Sequence, residues 1–239
     1  MLVAHAVAGG VDDEDVRRRI AVLRDRFVAT VPAGATPATL VEFMGGLGFG
    51  AADNAQSVDP SRIDWVLENR RGIPITLSVA YVMVGRALGM QTHGVNFPQH
   101  FLLRADGELI DALNAQVLAQ SDVDRWLRDA NMTHLADGAL AVAPPDDIAV
   151  RMFNNVKAVY AAHGDLVGVL ALVDCQLPLV IDAGPLHLER AELWLRLGNT
   201  TAAAAVLEAV RGEFAGTRWE SEIDKRLRRL GSQPRSTVH

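Results

Sequence analysis

RRGIPITLSVAYVMVGRALGMQTHGVNFPQHFLLRADGELID, residues 70–111, is the stretch whose reading decides the fold. Gly72 breaks the helix that precedes it, and Pro74 brings the fixed φ that suits a first helical position. Beyond it Ile75, Leu77, Val79, Tyr81, Val82, Met83 and Val84 leave almost no polar side, so this helix is expected in the centre of a domain. Gly89 ends it. A strand follows around Thr92–Asn96, and Asp106-Gly107 then joins two further strands as the two-residue turn most typical of β-hairpins.

That turn sets a register. With Ala105 and Glu108 flanking it, Arg104 faces Leu109, Leu102 faces Asp111 and His100 faces Leu113. Phe101, Leu103, Ile110 and Ala112 then fall on one face, which should lie on the core, and His100 and Asp111 share the other. As diagonal neighbours these two have Cβ atoms about 7–8 Å apart, a gap that imidazole and carboxylate can close between them. A carboxylate against a histidine fixes its tautomer and raises its basicity, as a general base requires; the same contact can also do no more than hold a sheet edge.

Working outward, residues 12–48 carry two amphipathic helices. Val16, Ile20, Leu23 and Phe27 share a face of the first, and Leu40, Phe43, Met44 and Leu47 share a face of the second. Thr36-Pro37 is a cap-and-proline start, and Gly48 a stop. Asp59-Pro60 repeats the start signal for a third helix, in which Ile63, Val66 and Leu67 share a face with the stem of Arg70. Ser121 is the expected cap of a helix bearing Val123, Trp126 and Leu127.

The chain has 239 residues, 49% of them apolar, and a formal charge of −6, with a pI near 5.6. This is enough for one larger or two small domains, and the charge argues against a nucleic-acid partner. The basic run near the C-terminus, DKRLRRLG, alternates with acidic residues and reads as a solvated helix face. A lone cysteine, Cys175, allows no internal disulfide or cysteine-rich metal site and fits a cytoplasmic location. The first ten residues lack the basic start of a signal peptide, and no apolar run is long enough to span a bilayer, so no membrane association is expected. His93 and His100 do not have a recognised metal-ligand spacing, and neither a metal nor another cofactor is expected.

The run from Trp65 to Asn114, with R-x-G-I-P-I-T-L, a buried helix ending in Leu-Gly, then F-P-Q-H-F and a strand closing in Ile-Asp, resembles the transglutaminase-like core of SirB-type proteins. The likeness is strong over residues 59–114 and weaker over nearly all the rest. It implies an α+β, papain/transglutaminase-like core with a central buried helix on an antiparallel sheet. It also implies a Cys–His–Asp triad in active relatives, with His100 and Asp111 in the histidine and aspartate places. The cysteine place falls on or beside Pro74, which offers no nucleophile. Gln99 and Ala112-Leu113 depart from the family pattern. Thr76, in the first turn of the helix, is the hydroxyl that could substitute, though it is also an ordinary helix-start residue. Arg70, Arg71, Asn96 and Arg104 are candidate binding residues; the arginines could hold an anion together, or simply pair with Glu68 or Asp111.

Residues 137–147, DGALAVAPPDD, read as a linker, giving an N-terminal segment plus core over 1–142 and a helical part over 146–232. In the latter VYAAHGDLVGVLALV (159–173) overlays LWLRLGNTTAAAAVL (193–207), with Gly164 and Gly198 thirty-four residues apart, the tetratricopeptide period. Tyr160 overlays Trp194, and Ala171 overlays Ala205 as the small position where paired helices approach. Cys175 is expected as a small hydrophobe in a buried helix. Together these features favour a cysteine-less, transglutaminase-like pseudoenzyme that binds a peptide or protein partner. The alternative is a hydrolase or acyl-transfer enzyme using His100 and Asp111 with Thr76 or a water.

Overall fold

The structure, a computed structural model, describes residues 13–53, 56–97, 100–129 and 140–231. The first ten residues, Gln99 and the start of the 137–147 stretch lie outside the described residues. The chain divides into two compact units, Met1–Val159 and Tyr160–His239.

In the first unit α1 (Asp13–Thr30) buries Val16, Ile20, Leu23 and Phe27, the face its spacing dictates. Helix α2 (Pro37–Gly46) starts on a capping box. The Thr36 hydroxyl accepts from Thr39 N–H, and the Thr39 hydroxyl accepts from Thr36 N–H. Asp59-Pro60 does not open an α-helix; it forms a 3₁₀ turn, Asp59–Ser61, and α3 (Ile63–Asn69) begins after it. Arg70 is not on the face of α3 either. It takes φ 61° as the left-handed C-cap, its side chain donating to the Leu47 carbonyl at 2.9 Å. Short strands β1 (Gly50–Ala51) and β2 (Arg71–Gly72) pair in parallel.

Helix α4 (Pro74–Ala87) is the central helix, with Ile75, Thr76, Leu77, Ser78, Ala80, Tyr81, Val84 and Gly85 all buried. It packs on β3 (Thr92–Phe97) and β4 (His100–Ala105) so closely that a Cβ on Gly85 would lie 2.6 Å from Thr92 Cγ2. With β5 (Glu108–Asp111) and β6 (Gln116–Leu118) these strands make an antiparallel sheet in the order β3-β4-β5-β6. The register is the one set by the turn: Leu103 faces Ile110, Arg104 faces Leu109 and Ala105 faces Glu108. Asp106 and Gly107 have φ 44° and 96°, positive at both positions as a type I′ turn needs.

Both sheet faces are covered. Leu103, Ala105, Ile110 and Ala112 join Leu77, Ala80, Tyr81 and Val84 of α4 in one core cluster. Val95, Phe97, Leu102 and Leu109 join Val123, Leu127 and Trp126 of α5 (Gln120–Asp129) in a second. Ser121 lies inside α5 rather than capping it, and the Asp122 carboxylate reaches back to accept from Ala119 N–H at 3.0 Å. The end of the expected linker is part of the fold: Val142 bridges Val95, and Ala143 N–H donates to Gly94 O at 2.8 Å. The division between units therefore falls later than 142–146, within α6 (Pro145–Ala162).

The second unit holds α7 (Leu166–Gln176), α8 (Gly184–Arg196), α9 (Thr200–Val210) and α10 (Glu220–Gly231). Gly164 and Gly198, at φ 74° and 78°, end the helices before them in the same way. Asp165 N–H donates to Tyr160 O and Asn199 N–H to Trp194 O, both at 2.9 Å, the six-to-one bond of a Schellman stop. Asp165 and Asn199 then cap the next helix, accepting from Gly168 and Ala202 N–H. Ala171 and Ala205 are exposed and do not mark a helix-helix approach; Ala203 is fully buried instead. Cys175 is only half-buried.

Candidate functional site

The resemblance puts the nucleophile's expected place at the start of α4. Pro74 occupies the first turn, and Thr76 beside it has no solvent exposure. Its hydroxyl donates to Pro60 O at 2.6 Å and accepts from Ile73 N–H at 3.2 Å. Thr76 thus ties the 3₁₀ turn to the helix start. Gly72 leaves the room this needs, since a Cβ there would lie 2.9 Å from Thr76 Oγ1. Ser78, also fully buried, spans from α4 to the sheet by donating to Phe101 O at 3.3 Å.

His100 and Asp111 occupy one sheet face by register, as their spacing predicts, but the expected contact between them does not form. Asp111 is 6% exposed and folds back on its own turn. Its Oδ1 accepts from Leu113 N–H at 2.9 Å and Asn114 N–H at 3.4 Å, and its Oδ2 accepts from Asn114 Nδ2 at 2.6 Å. These local bonds outcompete a histidine across a diagonal gap. Exposed His100 instead stacks on Trp126, ring centroids 4.3 Å apart and planes 9° from parallel, with Phe97 at 5.9 Å from it. Trp126 belongs to the cluster on the face away from α4. The imidazole and the Thr76 hydroxyl therefore lie on opposite sides of the sheet.

Among the described residues no hydrogen bond or ion pair joins any two of the four candidate binding residues. Arg70 caps α3, and exposed Arg71 lies in β2, both next to the N-terminal end of α4. Arg104 donates to Gly107 O at 2.7 Å in the hairpin turn, alongside the C-terminal end of α4, about 20 Å away along a helix of this length. Neither Glu68 nor Asp111 serves these arginines, since Glu68 pairs with Arg19 at 3.6 Å. Asn96 accepts from Arg151 Nη1 at 2.5 Å, and Arg151 also lies over the Phe101 ring, 5.1 Å from its centroid.

Asn114 and Arg151 are the residues here that the spacing rules pass over, and Trp126 is read from them as a helix-face residue, not as the partner of His100. Asn114 carries a local signal, an Asp three residues before it at a strand end; Arg151 carries none, because its partners are fifty residues and more away. Tyr81, from α4, is fully buried, and its hydroxyl finds no hydrogen-bond partner among the described residues. Burial first, and the Asp111 charge second, push its phenol well above the usual value. Burial holds the His93 imidazole below its ordinary value, helped by Arg104 and Arg86. Among the described residues no group of three or more His, Cys, Asp or Glu side chains could hold a metal, and no helix is long and apolar enough to cross a membrane.

Residues 14–154, more than half of the chain, match the profile of the Transglutaminase-like superfamily. A UPF0162 protein of Xylella fastidiosa is 33% identical over 156 residues, covering 60% of this chain and 54% of its own length. A UPF0162 protein of Pseudomonas aeruginosa is 31% identical over 151 residues, with the same coverage of 60% and 54%. F-box only protein 21 of Homo sapiens is 48% identical over 50 residues, 19% of this chain and 8% of that protein. The chain spans about half the length of the UPF0162 relatives it matches. No solved structure matches.

Proposed function

Because the chain belongs to the transglutaminase-like superfamily, we propose that it uses that fold as a module for binding a peptide or protein segment and not as a thiol acyl-transferase. One observation carries this: the nucleophile's place at the start of α4 holds Pro74 and a sealed Thr76, while His100 lies across the sheet from it. General-base activation needs nucleophile and base within hydrogen-bond reach, about 2.6–3.2 Å, and a whole β-sheet stands between these two.

We take the chain further as SirB-type, with tetratricopeptide-like repeats following the core. Supporting this are the matched stops at Gly164 and Gly198, the matched caps at Asp165 and Asn199, and Tyr160 and Trp194 meeting in one cluster. The second unit also carries a concavity of about 450 Å³ whose lining mixes apolar Val169, Leu188, Leu193 and Trp219 with Glu189, Glu192, Arg196 and Arg226, a surface that suits a peptide segment.

The test is direct. Wild type, His100→Ala, Thr76→Ala and Cys175→Ala are incubated with glutamine-donor peptides plus an amine, and with amide and ester substrates. No turnover above the uncatalysed rate is expected from any of them. Turnover that survives Cys175→Ala but disappears in His100→Ala or Thr76→Ala would overturn the binding reading and make the protein a hydroxyl- or water-dependent hydrolase.

A further inference from the structure

We propose that Arg151 and Asn96 form a recognition site for a carboxylate of the bound peptide, an inference that rests on the peptide-binding reading above. Arg151 leaves α6 toward the sheet and not along its own helix. Asp147, one turn upstream and placed for an i,i+4 ion pair, is not its partner; its partners are Asn96 Oδ1 at 2.5 Å and the face of Phe101 at 5.1 Å. Both are neutral. Among the described residues this half-buried guanidinium has no carboxylate counter-ion, and burial alone pulls it below its ordinary value.

Among the described residues the contacts of Arg151 include no acidic acceptor. Arginine has only N–H groups to offer, so its contact holds the Asn96 carbonyl toward it and leaves the Asn96 Nδ2 donors for another acceptor. Those donors and the remaining guanidinium N–H groups have no partner among the described residues. A planar fork of donors beside an amide N–H matches the two oxygens of a carboxylate better than a point charge would. The Phe101 ring, with Ile148 Cδ1 packed where Gly94 leaves space, gives the site an apolar floor. Gly94 is required there, because a Cβ would lie 2.7 Å from the Phe101 ring. The exterior of Arg151 and Asn96 is accessible, both being half-buried.

The experiment follows the arginine side-chain N–H resonances of the full chain, labelled with ¹⁵N, the Arg151 signal being identified by its loss in Arg151→Gln. Probes are acetate, inorganic phosphate, and the matched capped peptides acetyl-Gly-Asp-amide and acetyl-Gly-Asn-amide. The expected result is a saturable shift of the Arg151 signal with the Asp peptide and none with the Asn peptide. Asn96→Asp is the control that keeps the fold: it places a carboxylate on Arg151 from within, and should weaken Asp-peptide binding at least tenfold without lowering the melting temperature. Unweakened binding in Arg151→Gln and Asn96→Asp overturns the site. A shift with phosphate but not with the Asp peptide overturns the carboxylate assignment. If the peptide moves other signals and leaves Arg151 unmoved, peptide binding stands and this inference fails. If acetate titrates Arg151 while no peptide binds, the anion site stands and the peptide-binding reading fails.

Discussion

Replacing Tyr81 by phenylalanine should stabilise the protein. The ring is fully buried in the main core cluster, against the face of α4 that meets Leu103 and Ile110, and its hydroxyl has no hydrogen-bond partner among the described residues. Burying a hydroxyl without a partner costs about 1–3 kcal/mol, whereas the ring is common to both side chains. The void left by one oxygen returns a fraction of the gain, so Tyr81→Phe should raise the unfolding free energy by about 1–2 kcal/mol. At roughly 2–4 °C per kcal/mol for a protein of this size, the melting temperature should rise by about 2–8 °C. The pH profile gives a second readout. The folded phenol is held above its ordinary value of 10.0, so above that pH the unfolded chain loses its proton first. Stability from this group is therefore complete below about pH 10 and falls as the pH rises toward the folded value; Tyr81→Phe should remove that alkaline loss. Urea titrations monitored by tryptophan fluorescence, from pH 7 to 11, measure both. A Tyr81→Phe variant less stable by 1 kcal/mol or more would show that the hydroxyl is hydrogen-bonded and refute the reasoning.

Three further outcomes follow from other sites. Gly184→Ala places a Cβ 2.4 Å from Trp219 Cδ1 and should cost about 1–3 kcal/mol in the second unit, with a red shift in tryptophan emission as the Trp219 Nε1 bond to Asp182 breaks; unchanged emission and stability would contradict it. His100→Ala loses a stacked pair at the surface and should cost no more than about 1.5 kcal/mol, while a circular dichroism spectrum of an unfolded chain would mean His100 holds the core. Burial is the leading cause holding both His93 and His187 below the ordinary imidazole value of 6.5, so as pH falls below that value the unfolded chain takes up protons first and stability declines; denaturant midpoints that stay flat from pH 7 to 5 would count against this.

How far the chain could be read depended on the distance between cause and effect. Local signals carried the helix faces of α1 and α4, the Thr36 cap and the Asp106-Gly107 turn, because each is decided within four or five residues. Failures came where a distant group intervenes. Asp59-Pro60 has the residues of a helix start, but the Pro60 carbonyl is held by Thr76, sixteen residues on, and the turn stays 3₁₀. The Ala- and Pro-rich composition of 137–147 suggests a linker, yet Val142 finds Val95 across the sheet edge, a pairing no composition reveals. Asp111 was legible as a polar residue on the right face; that Asn114 would claim its carboxylate depended on a tight turn centred near Ala115, which takes φ 48° without being glycine.

The alternation that puts His100 on the sheet face with Trp126 also separates it from Thr76. Leu103 and Ile110 face α4 while Leu102 and Leu109 face away from it, and His100, two residues before Leu102, lies with the latter, so the start of α4 cannot meet the imidazole. A thiol introduced in the first turn of α4 should therefore remain inert. In a Cys175→Ala background, Thr76→Cys puts a sulfur where there is no solvent exposure, beside the Pro60 carbonyl and across the sheet from His100. Burial without a cationic partner raises a thiol's pKa and withholds the thiolate that acyl transfer needs. Reaction of this cysteine with a disulfide reagent should be at least ~100-fold slower in the native protein than in urea, the factor imposed by an opening free energy of ~2.8 kcal/mol, and the variant should show no transfer from glutamine-donor peptides. Rapid native labelling, or transfer activity lost again in His100→Ala, would mean that the helix start and His100 do share a cleft, and the binding reading would give way to a catalytic one.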